Sequence, residues 1–201
     1  TVMLFLAPVH VDPNIPDMRS KSDYLLMLIQ CILGIVAMIL PAIIEHKIKL
    51  IIPSRMIIMY AVFLYGAIYL GEVRNFYYVI PYWDIILHTF SGGMLGALGF
   101  SFIVLLNRTD RVPMNLSPIF IAVFTFCFAI TLGVIWEIYE FAADYFLGLN
   151  MQKFALQDGT LLAGRQALSD TMTDLIVDCI GAFVISLAGY VSLKYKKGWV
   201  E

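Results

Sequence analysis

Three stretches of this sequence contain no Asp, Glu, Lys or Arg and are each long enough to cross a lipid bilayer. They are Tyr24–Ile44, Ile85–Asn107 and Val112–Trp136, with 21, 23 and 25 residues. A helix of about 20 apolar residues spans the hydrocarbon core of a membrane. Because backbone polar groups in lipid must pair within their own segment, these stretches predict transmembrane helices.

Two shorter stretches, Met56–Gly71 and Cys179–Leu193, become long enough when their apolar flanks are included. The sequence therefore predicts an all-α, polytopic transmembrane helix bundle that forms one domain over residues 1–201. Its five spans are expected at about 23–45, 54–71, 83–107, 117–147 and 171–194, with a long outer loop at 148–170. Since the chain begins with Thr1 rather than Met, we expect that a sixth span can precede it.

The composition agrees with a membrane location and excludes several functional classes. Hydrophobic residues make up 61% of the chain, charged residues 14%, and the mean hydropathy is +0.85. A soluble domain has about 25% charged residues, so a soluble enzyme and a disordered protein are excluded. The net charge of −2 provides no basic surface for nucleic acid. Cys31, Cys127 and Cys179 are far apart in apolar runs, which favours small buried side chains over a zinc site or a disulfide.

Basic residues are distributed unequally between the two sides of the predicted membrane. Eight fall on the side of the C-terminus: Lys47, Lys49, Arg55, Arg108, Arg111, Lys194, Lys196 and Lys197. Five fall on the other side: Arg19, Lys21, Arg74, Lys153 and Arg165. Since loops rich in Lys and Arg stay in the cytoplasm, we expect a cytoplasmic C-terminus and an external 148–170 loop.

Acidic residues interrupt the hydropathy at helical spacing in three separate spans. The sets are Asp84 with His88 in the third span, Glu137, Glu140 and Asp144 in the fourth, and Asp170, Asp174 and Asp178 in the fifth. Within each set the spacing places the side chains on one helix face. All three sets lie in the same half of the membrane, so the sequence predicts a polar pocket that opens toward the 148–170 side.

Several facing carboxylates cannot all stay ionised inside a membrane without compensation. Protons, an arginine counter-ion or a bound cation could supply it, and Arg165 is the candidate counter-ion and headgroup ligand. Carboxylates with one histidine suit a divalent metal such as Mn²⁺, Fe²⁺, Zn²⁺ or Mg²⁺. The candidate metal ligands are Asp84, His88, Glu137, Glu140, Asp144, Asp174 and Asp178. His88 and Glu140 are the candidate catalytic residues, and Trp136 is expected to line the pocket.

A structural interpretation of the same residues stays open. Asp84, Asp144 and Asp170 lie near predicted helix ends, where they could act as caps or interfacial residues. The whole set could also form a hydrogen-bonded packing network that binds no ligand. Gly92, Gly93, Gly96 and Gly99 follow His88, and small residues at this spacing predict close helix packing beside the acidic face.

Three motifs carry a resemblance to known families. They are Trp83-Asp-Ile-Ile-Leu-His88-Thr-Phe-Ser-Gly92-Gly93, Trp136-Glu-Ile-Tyr-Glu140-Phe-Ala-Ala-Asp144 and Asp170-Thr-Met-Thr-Asp174-Leu-Ile-Val-Asp178. Together they resemble the YjdF-type small bacterial inner-membrane proteins and, more distantly, the VanZ-like proteins linked to glycopeptide resistance. In the VanZ-like pattern Gln tends to stand at position 140 and Asn at position 178, so this chain is more acidic. The resemblance implies a multi-pass protein of the bacterial inner membrane with a polar intramembrane site.

Three functions are compatible with this pattern. The first is a metal-assisted membrane enzyme that acts on an envelope lipid or lipid-linked precursor. The second is a proton- or cation-coupled transporter or channel, although Gly96–Leu106, Ile119–Leu132 and Ala182–Leu193 contain no acid, histidine or basic residue. The third is a non-catalytic resistance, immunity or assembly factor. The predicted partners are the lipid bilayer, a lipid-linked substrate, and a second copy or another protein.

Overall fold

The computed structural model describes residues 2–9, 19–48, 52–107, 116–156 and 159–195. The described helices are α1 (Val2–Leu6), α2 (Lys21–Ile48), α3 (Ser54–Leu64), α4 (Phe76–Val79), α5 (Trp83–Asn107), α6 (Pro118–Leu147) and α7 (Arg165–Tyr195). Helix α3 continues through π-helical turns over Tyr65–Val73, so that the two together form one long segment. In the described part of the chain β-structure is confined to an isolated bridge between Ala155 and Leu161.

Five helical segments are long and apolar enough to cross a membrane, as the charge-free stretches predicted. They are Lys21–Lys47, Ser54–Val73, Trp83–Leu106, Pro118–Leu147 and Arg165–Tyr195. Many large apolar side chains on these segments are exposed, among them Ile58, Phe141 and Val184. In a bilayer such side chains face lipid, and the chain forms an all-α transmembrane bundle.

The prediction that the three cysteines are buried is wrong. Cys31 and Cys127 are free and exposed, and Cys179 is half-buried. The physical reason is the solvent: an apolar run in a membrane helix covers lipid-facing surface as readily as core, so an apolar neighbourhood in the sequence does not indicate burial.

Helix α6 has end signals that fix its length. The Ser117 hydroxyl accepts a hydrogen bond from the Phe120 amide over 3.3 Å, and Pro118 occupies the first helical position. The helix ends at Gly148, which adopts the left-handed conformation with φ +65°. Asp144 and the glutamates therefore lie in the last three turns of the helix.

Helix α7 begins six residues before the predicted span at 171. Gly164 has φ +58°, and the helix starts directly after it at Arg165. Four of the six residues in Arg165–Asp170 are polar, and they form the first turns of the helix. A count of charge-free residues does not include these turns. The connection between α6 and α7 is therefore shorter than the predicted 148–170 loop and covers residues 148–164.

Helices α5, α6 and α7 pack against one another and form the centre of the bundle. The glycine prediction is confirmed at the seam of α5 and α7. A methyl group at Gly181 would overlap the Thr89 carbonyl, and one at Gly96 would lie 3.4 Å from Ile185. Because only small residues allow helix backbones this close, the seam fixes the register of the acids on α5 and α7.

Candidate carboxylate and histidine site

Helices α5, α6 and α7 bring most of the predicted acids together at one end of the bundle. We call this the loop end, because residues 148–156 and 159–164 of the connection between α6 and α7 lie there. Asp84, His88 and Asp174 each present a ligand atom, and these three atoms lie within 4.8 Å of one another. His88 and Asp174 are buried and Asp84 is half-buried.

The imidazole of His88 lies between two carboxylates. Its Nε2 atom is 3.8 Å from Asp84 Oδ1, and its Nδ1 atom is 3.5 Å from Asp178 Oδ2, the long limit of a hydrogen bond. Asp178 also accepts a hydrogen bond from the Ser91 hydroxyl over 3.2 Å. With its Nδ1–H directed to Asp178, the imidazole presents Nε2 toward Asp84. Metal-binding histidines are held by carboxylates in this way.

The contacts of Asp178 differ from those expected of the metal ligand that it was predicted to be. It was predicted as a metal ligand, but one carboxylate oxygen meets Ser91 and the other meets His88. Its carboxylate also packs on α6, where a Cβ at Gly133 would lie 2.6 Å from Asp178 Oδ2. In this structure Asp178 orients His88 instead of joining the three-residue group.

Helix α6 adds two buried glutamates to the site. Glu140 accepts a hydrogen bond from Trp136 Nε1 over 2.9 Å, which places the predicted lining residue Trp136 beside the acids, although its side chain is 40% exposed. Glu137 is 5% exposed, and neither of its carboxylate oxygens has a hydrogen-bond partner. Thr171 lies next to Glu137, and its hydroxyl, which accepts from Gln152 Nε2, still has its own proton to donate. At least one oxygen of this buried carboxylate therefore has no donor, which is costly unless a proton or a ligand meets it.

Asp144 lies outside the cluster and has a structural role. Its two carboxylate oxygens accept hydrogen bonds from the backbone amides of Met151 and Gln152, over 2.7 and 3.0 Å. The acid thus closes the turn after α6, as the helix-end interpretation allowed. Both oxygens meet backbone donors, and Asp144 is not one of the three residues whose ligand atoms converge.

Lys153 supplies the positive charge that was predicted for Arg165. Arg165 is exposed at the first residue of α7, whereas Lys153 Nζ forms ion pairs with Asp84 and Asp170, the latter over 3.0 Å. The sequence gave a weak indication of Lys153 as the counter-ion, since few basic residues fall on this side of the membrane. Only folding of the loop could show which of them reaches the acids.

The surroundings of Lys153 keep it charged. Burial disfavours its charged form, but the carboxylates of Asp84 and Asp170 outweigh this effect and hold the pKa of the ammonium above its usual range. Tyr77 lies on the same side, with its ring centroid 5.8 Å from Lys153 Nζ. Burial and the charge of Asp84 raise the pKa of the Tyr77 hydroxyl well above its ordinary value, so it stays protonated.

A polar cavity of about 550 Å³ opens directly beside the cluster. The acids Asp84, Asp170 and Asp174 line it together with Lys153, and Leu156 and Leu162 of the loop form part of its wall. The cavity thus brings both signs of charge together with apolar surface. It is large enough for a polar headgroup and not only for an ion.

The charges at the loop end do not balance by themselves. Six carboxylates belong to the cluster: Asp84, Glu137, Glu140, Asp170, Asp174 and Asp178. Among the described residues that contact them, Lys153 is cationic and His88 can become so. Four negative charges therefore require protons or a bound cation, because uncompensated charges are expensive in a membrane.

Comparisons with known proteins place the chain in a family. The model of the family described as "Predicted membrane protein (DUF2238)" matches residues 15–195. An uncharacterized protein of Thermotoga maritima is 29% identical over 139 residues, which cover 68% of this chain and 62% of the relative. The chain thus spans about three fifths of that relative's length. No solved structure matches it significantly.

The YjdF-type resemblance is consistent with the matching family, while the VanZ-like similarity stays a prediction. The family description agrees with the five apolar helical segments. The match extends from before α2 to the last residue of α7 and includes every residue of the cluster. This chain therefore belongs to the DUF2238 family of predicted membrane proteins.

Proposed function

We propose that the loop end binds a divalent cation through Asp84, His88 and Asp174. The observation that carries this proposal is the convergence of three ligand atoms from α5 and α7 within 4.8 Å. Nitrogen and oxygen ligands lie about 2.0–2.2 Å from a tetrahedral ion such as Zn²⁺, so two of its ligands are about 3.4 Å apart. His88 Nε2 and Asp84 Oδ1 are 3.8 Å apart, and side-chain shifts of about 1 Å would bring all three atoms to this separation.

The residues around the three ligands support the same proposal. Asp178 orients the imidazole, and Glu137 provides a buried carboxylate with no partner. Asp170 Oδ2 is likewise buried without a hydrogen bond. A divalent cation would offset part of the excess negative charge and would give these oxygens an attractive partner.

The cavity beside the ligands suggests what the cation is for. We propose that the cavity binds the polar, phosphate-bearing headgroup of an envelope lipid or lipid-linked precursor, next to the cation. A metal ion polarises a phosphoryl oxygen and offsets its charge, and Lys153 can add a second positive contact. In a reaction at this site Glu140 would transfer the proton, because His88 would hold the cation through Nε2 and Asp178 through Nδ1.

The location of the site follows from the proposed orientation. The excess of basic residues on the C-terminal side favours a cytoplasmic C-terminus in a bacterial inner membrane. The loop end would then face the outside. A C-terminal reporter fusion tests this directly, and activity of an exclusively periplasmic reporter at that terminus would contradict the orientation.

Metal content provides the direct test of the proposed function. We expect detergent-purified protein to contain a near-stoichiometric divalent transition metal by mass spectrometry, or to bind added Mn²⁺ or Zn²⁺ saturably in calorimetry. Asp174→Asn should reduce the metal affinity by more than tenfold. Glu45→Gln is the matched control, because Glu45 lies at the other end of the bundle and accepts from the Ile52 amide, which an amide side chain can also do.

Two results would contradict the proposal. One is the absence of saturable Mn²⁺ or Zn²⁺ binding by the parent protein at millimolar concentrations. The other is equal metal binding by the parent and by Asp174→Asn. Either result would leave protons to neutralise the cluster and would favour a proton-coupled or purely structural role.

A further inference from the structure

An apolar groove of about 320 Å³ lies on the surface of α5 and α7, farther from the loop end than the polar cavity. Met59 of α3, Phe90 of α5 and Val184 of α7 form its walls. Val184 is 57% exposed, so this surface faces the region that lipid occupies in a membrane.

Small residues form the floor of the groove. Gly93, Ala97 and Gly181 line it, and the Gly181 backbone lies directly against the Thr89 carbonyl. A Cβ at Gly93 would meet only ordinary contacts, at 3.6 Å from Ile185 and 3.8 Å from the Gly181 carbonyl oxygen. The close packing that aligns the acids thus also leaves a trough on the lipid-facing side of the same seam.

The groove follows the polar cavity along the same two helices, and no described residue lines both. On α5, Ile85 lines the cavity and Thr89 lines the groove, one helical turn or about 6 Å apart. On α7, Thr173 lines the cavity and Ile180 lines the groove, two turns apart and on the same face. A molecule with a polar end in the cavity can therefore extend along the groove toward the centre of the bilayer.

The groove has room for a hydrocarbon chain. From Thr89 to Ala97 the helix rises about 12 Å, so a volume of 320 Å³ gives a mean width of about 6 Å. The apolar lining of the groove and its alignment with the polar cavity favour one acyl chain of a lipid whose headgroup lies in that cavity. A neighbouring helix, which packs by inserting side-chain ridges into such a groove, is the other occupant, and the oligomeric mass distinguishes the two.

We infer that the protein binds a phosphate-bearing membrane lipid, with its headgroup in the polar cavity and one acyl chain in the groove. The headgroup position rests on the proposed function, whereas the acyl-chain position rests on the groove alone. Lys153 and the cation would attract the phosphate, and the groove would select a molecule with an acyl chain over a free phosphate.

Native mass spectrometry with added dioleoyl phosphatidylglycerol tests this inference. We expect the parent protein to retain one lipid through delipidation. Ala97→Phe fills the groove floor and should lower the retained fraction at least fivefold. Ala42→Phe is the matched control, because Ala42 is exposed on α2 and lies outside the groove, and it should retain the lipid as the parent does. Glycerol phosphate, which has no acyl chain, should bind at least tenfold more weakly than the lipid.

A second variant keeps the test decisive if Ala97→Phe does not fold. Val184→Trp adds bulk to an exposed wall residue and leaves the helix contacts intact. Equal lipid retention in the parent and in a folded groove variant would overturn the inference. So would a groove variant that changes the oligomeric mass and not the lipid count, since the groove would then hold a second copy of the chain.

Metal content measured on the same samples separates this inference from the proposed function. Groove variants that lose lipid and keep the metal support both. Lipid loss in Ala97→Phe from a parent protein without metal would support the groove and contradict the cation site. Metal loss in Asp174→Asn together with unchanged lipid retention in Ala97→Phe would support the cation site and contradict the groove.

Discussion

The backbone of Gly92 on α5 lies directly against the backbone of Asp178 on α7. A Cβ atom at position 92 would lie 2.5 Å from the Asp178 carbonyl oxygen and 2.9 Å from its Cα atom. This contact sets the distance between the two helices at the depth of the site. It lets the Asp178 carboxylate reach the Nδ1 atom of His88, 3.5 Å away.

We expect Gly92→Ala to destabilise the protein by about 1–3 kcal/mol, because the methyl group would push against backbone that cannot move aside. The measurement is unfolding in mixed micelles, followed by circular dichroism. Gly93→Ala is the control, since its Cβ would make only ordinary contacts, at 3.6 and 3.8 Å. Equal losses in the two variants would show that the contact with Asp178 does not set the cost, because the gain in helix propensity from Gly to Ala is the same at both positions.

Replacement of Lys153 by Met should cost about 2 kcal/mol of unfolding free energy. The change leaves Asp84 and Asp170 without their counter-ion, and the side chains of all three residues are at least three-quarters buried. The double variant Lys153→Met/Asp84→Asn should lose less unfolding free energy than the sum of the losses in the two single variants. Lys47→Met, at an exposed lysine, should stay within about 0.5 kcal/mol. Strict additivity of the two changes would argue against the ion pair.

Chemical modification can report the protonation of Lys153. Acylating reagents attack the neutral amine, and the raised pKa of Lys153 lowers the neutral fraction at alkaline pH. The stabilising ion pair is therefore complete below the ordinary lysine pKa of about 10.4 and is lost as the pH rises through the higher folded-state value.

At pH 9 we expect Lys153 to react more slowly than the exposed Lys47, with peptide mass spectrometry as the readout. Asp84→Asn should increase the acylation rate of Lys153 at least threefold and leave that of Lys47 unchanged. The substitution removes one of the two carboxylates that raise the pKa of Lys153. An unchanged Lys153 rate in Asp84→Asn would mean that access, and not charge, limits the reaction.

Asp144→Ala should loosen the connection between α6 and α7 without weakening metal binding. The carboxylate closes the turn through the amides of Met151 and Gln152, and its loss exposes the segment to protease. We expect at least fivefold faster cleavage within 148–164 and a Mn²⁺ affinity within twofold of the parent. A tenfold loss of affinity with unchanged proteolysis would show that Asp144 binds the metal.

The sequence alone determined the class of fold and the depth of the acids. Long stretches without charge can exist only as helices in lipid, and helical spacing places Asp84 with His88, Glu137 with Glu140 and Asp174 with Asp178 on common faces. The glycines after His88 also recur at helical spacing, which indicated a close contact with another helix. These conclusions need only local geometry and the chemistry of the solvent.

The tertiary structure decided the role of each acid, because a role depends on which helix face meets which partner. Asp174 joins Asp84 and His88, whereas Asp178, one turn away, orients the imidazole. The loop brings Lys153 to the cluster and leaves Arg165 exposed, although both are basic residues on the same side of the membrane. Such choices depend on contacts between distant segments, and periodicity along one helix carries no information about them.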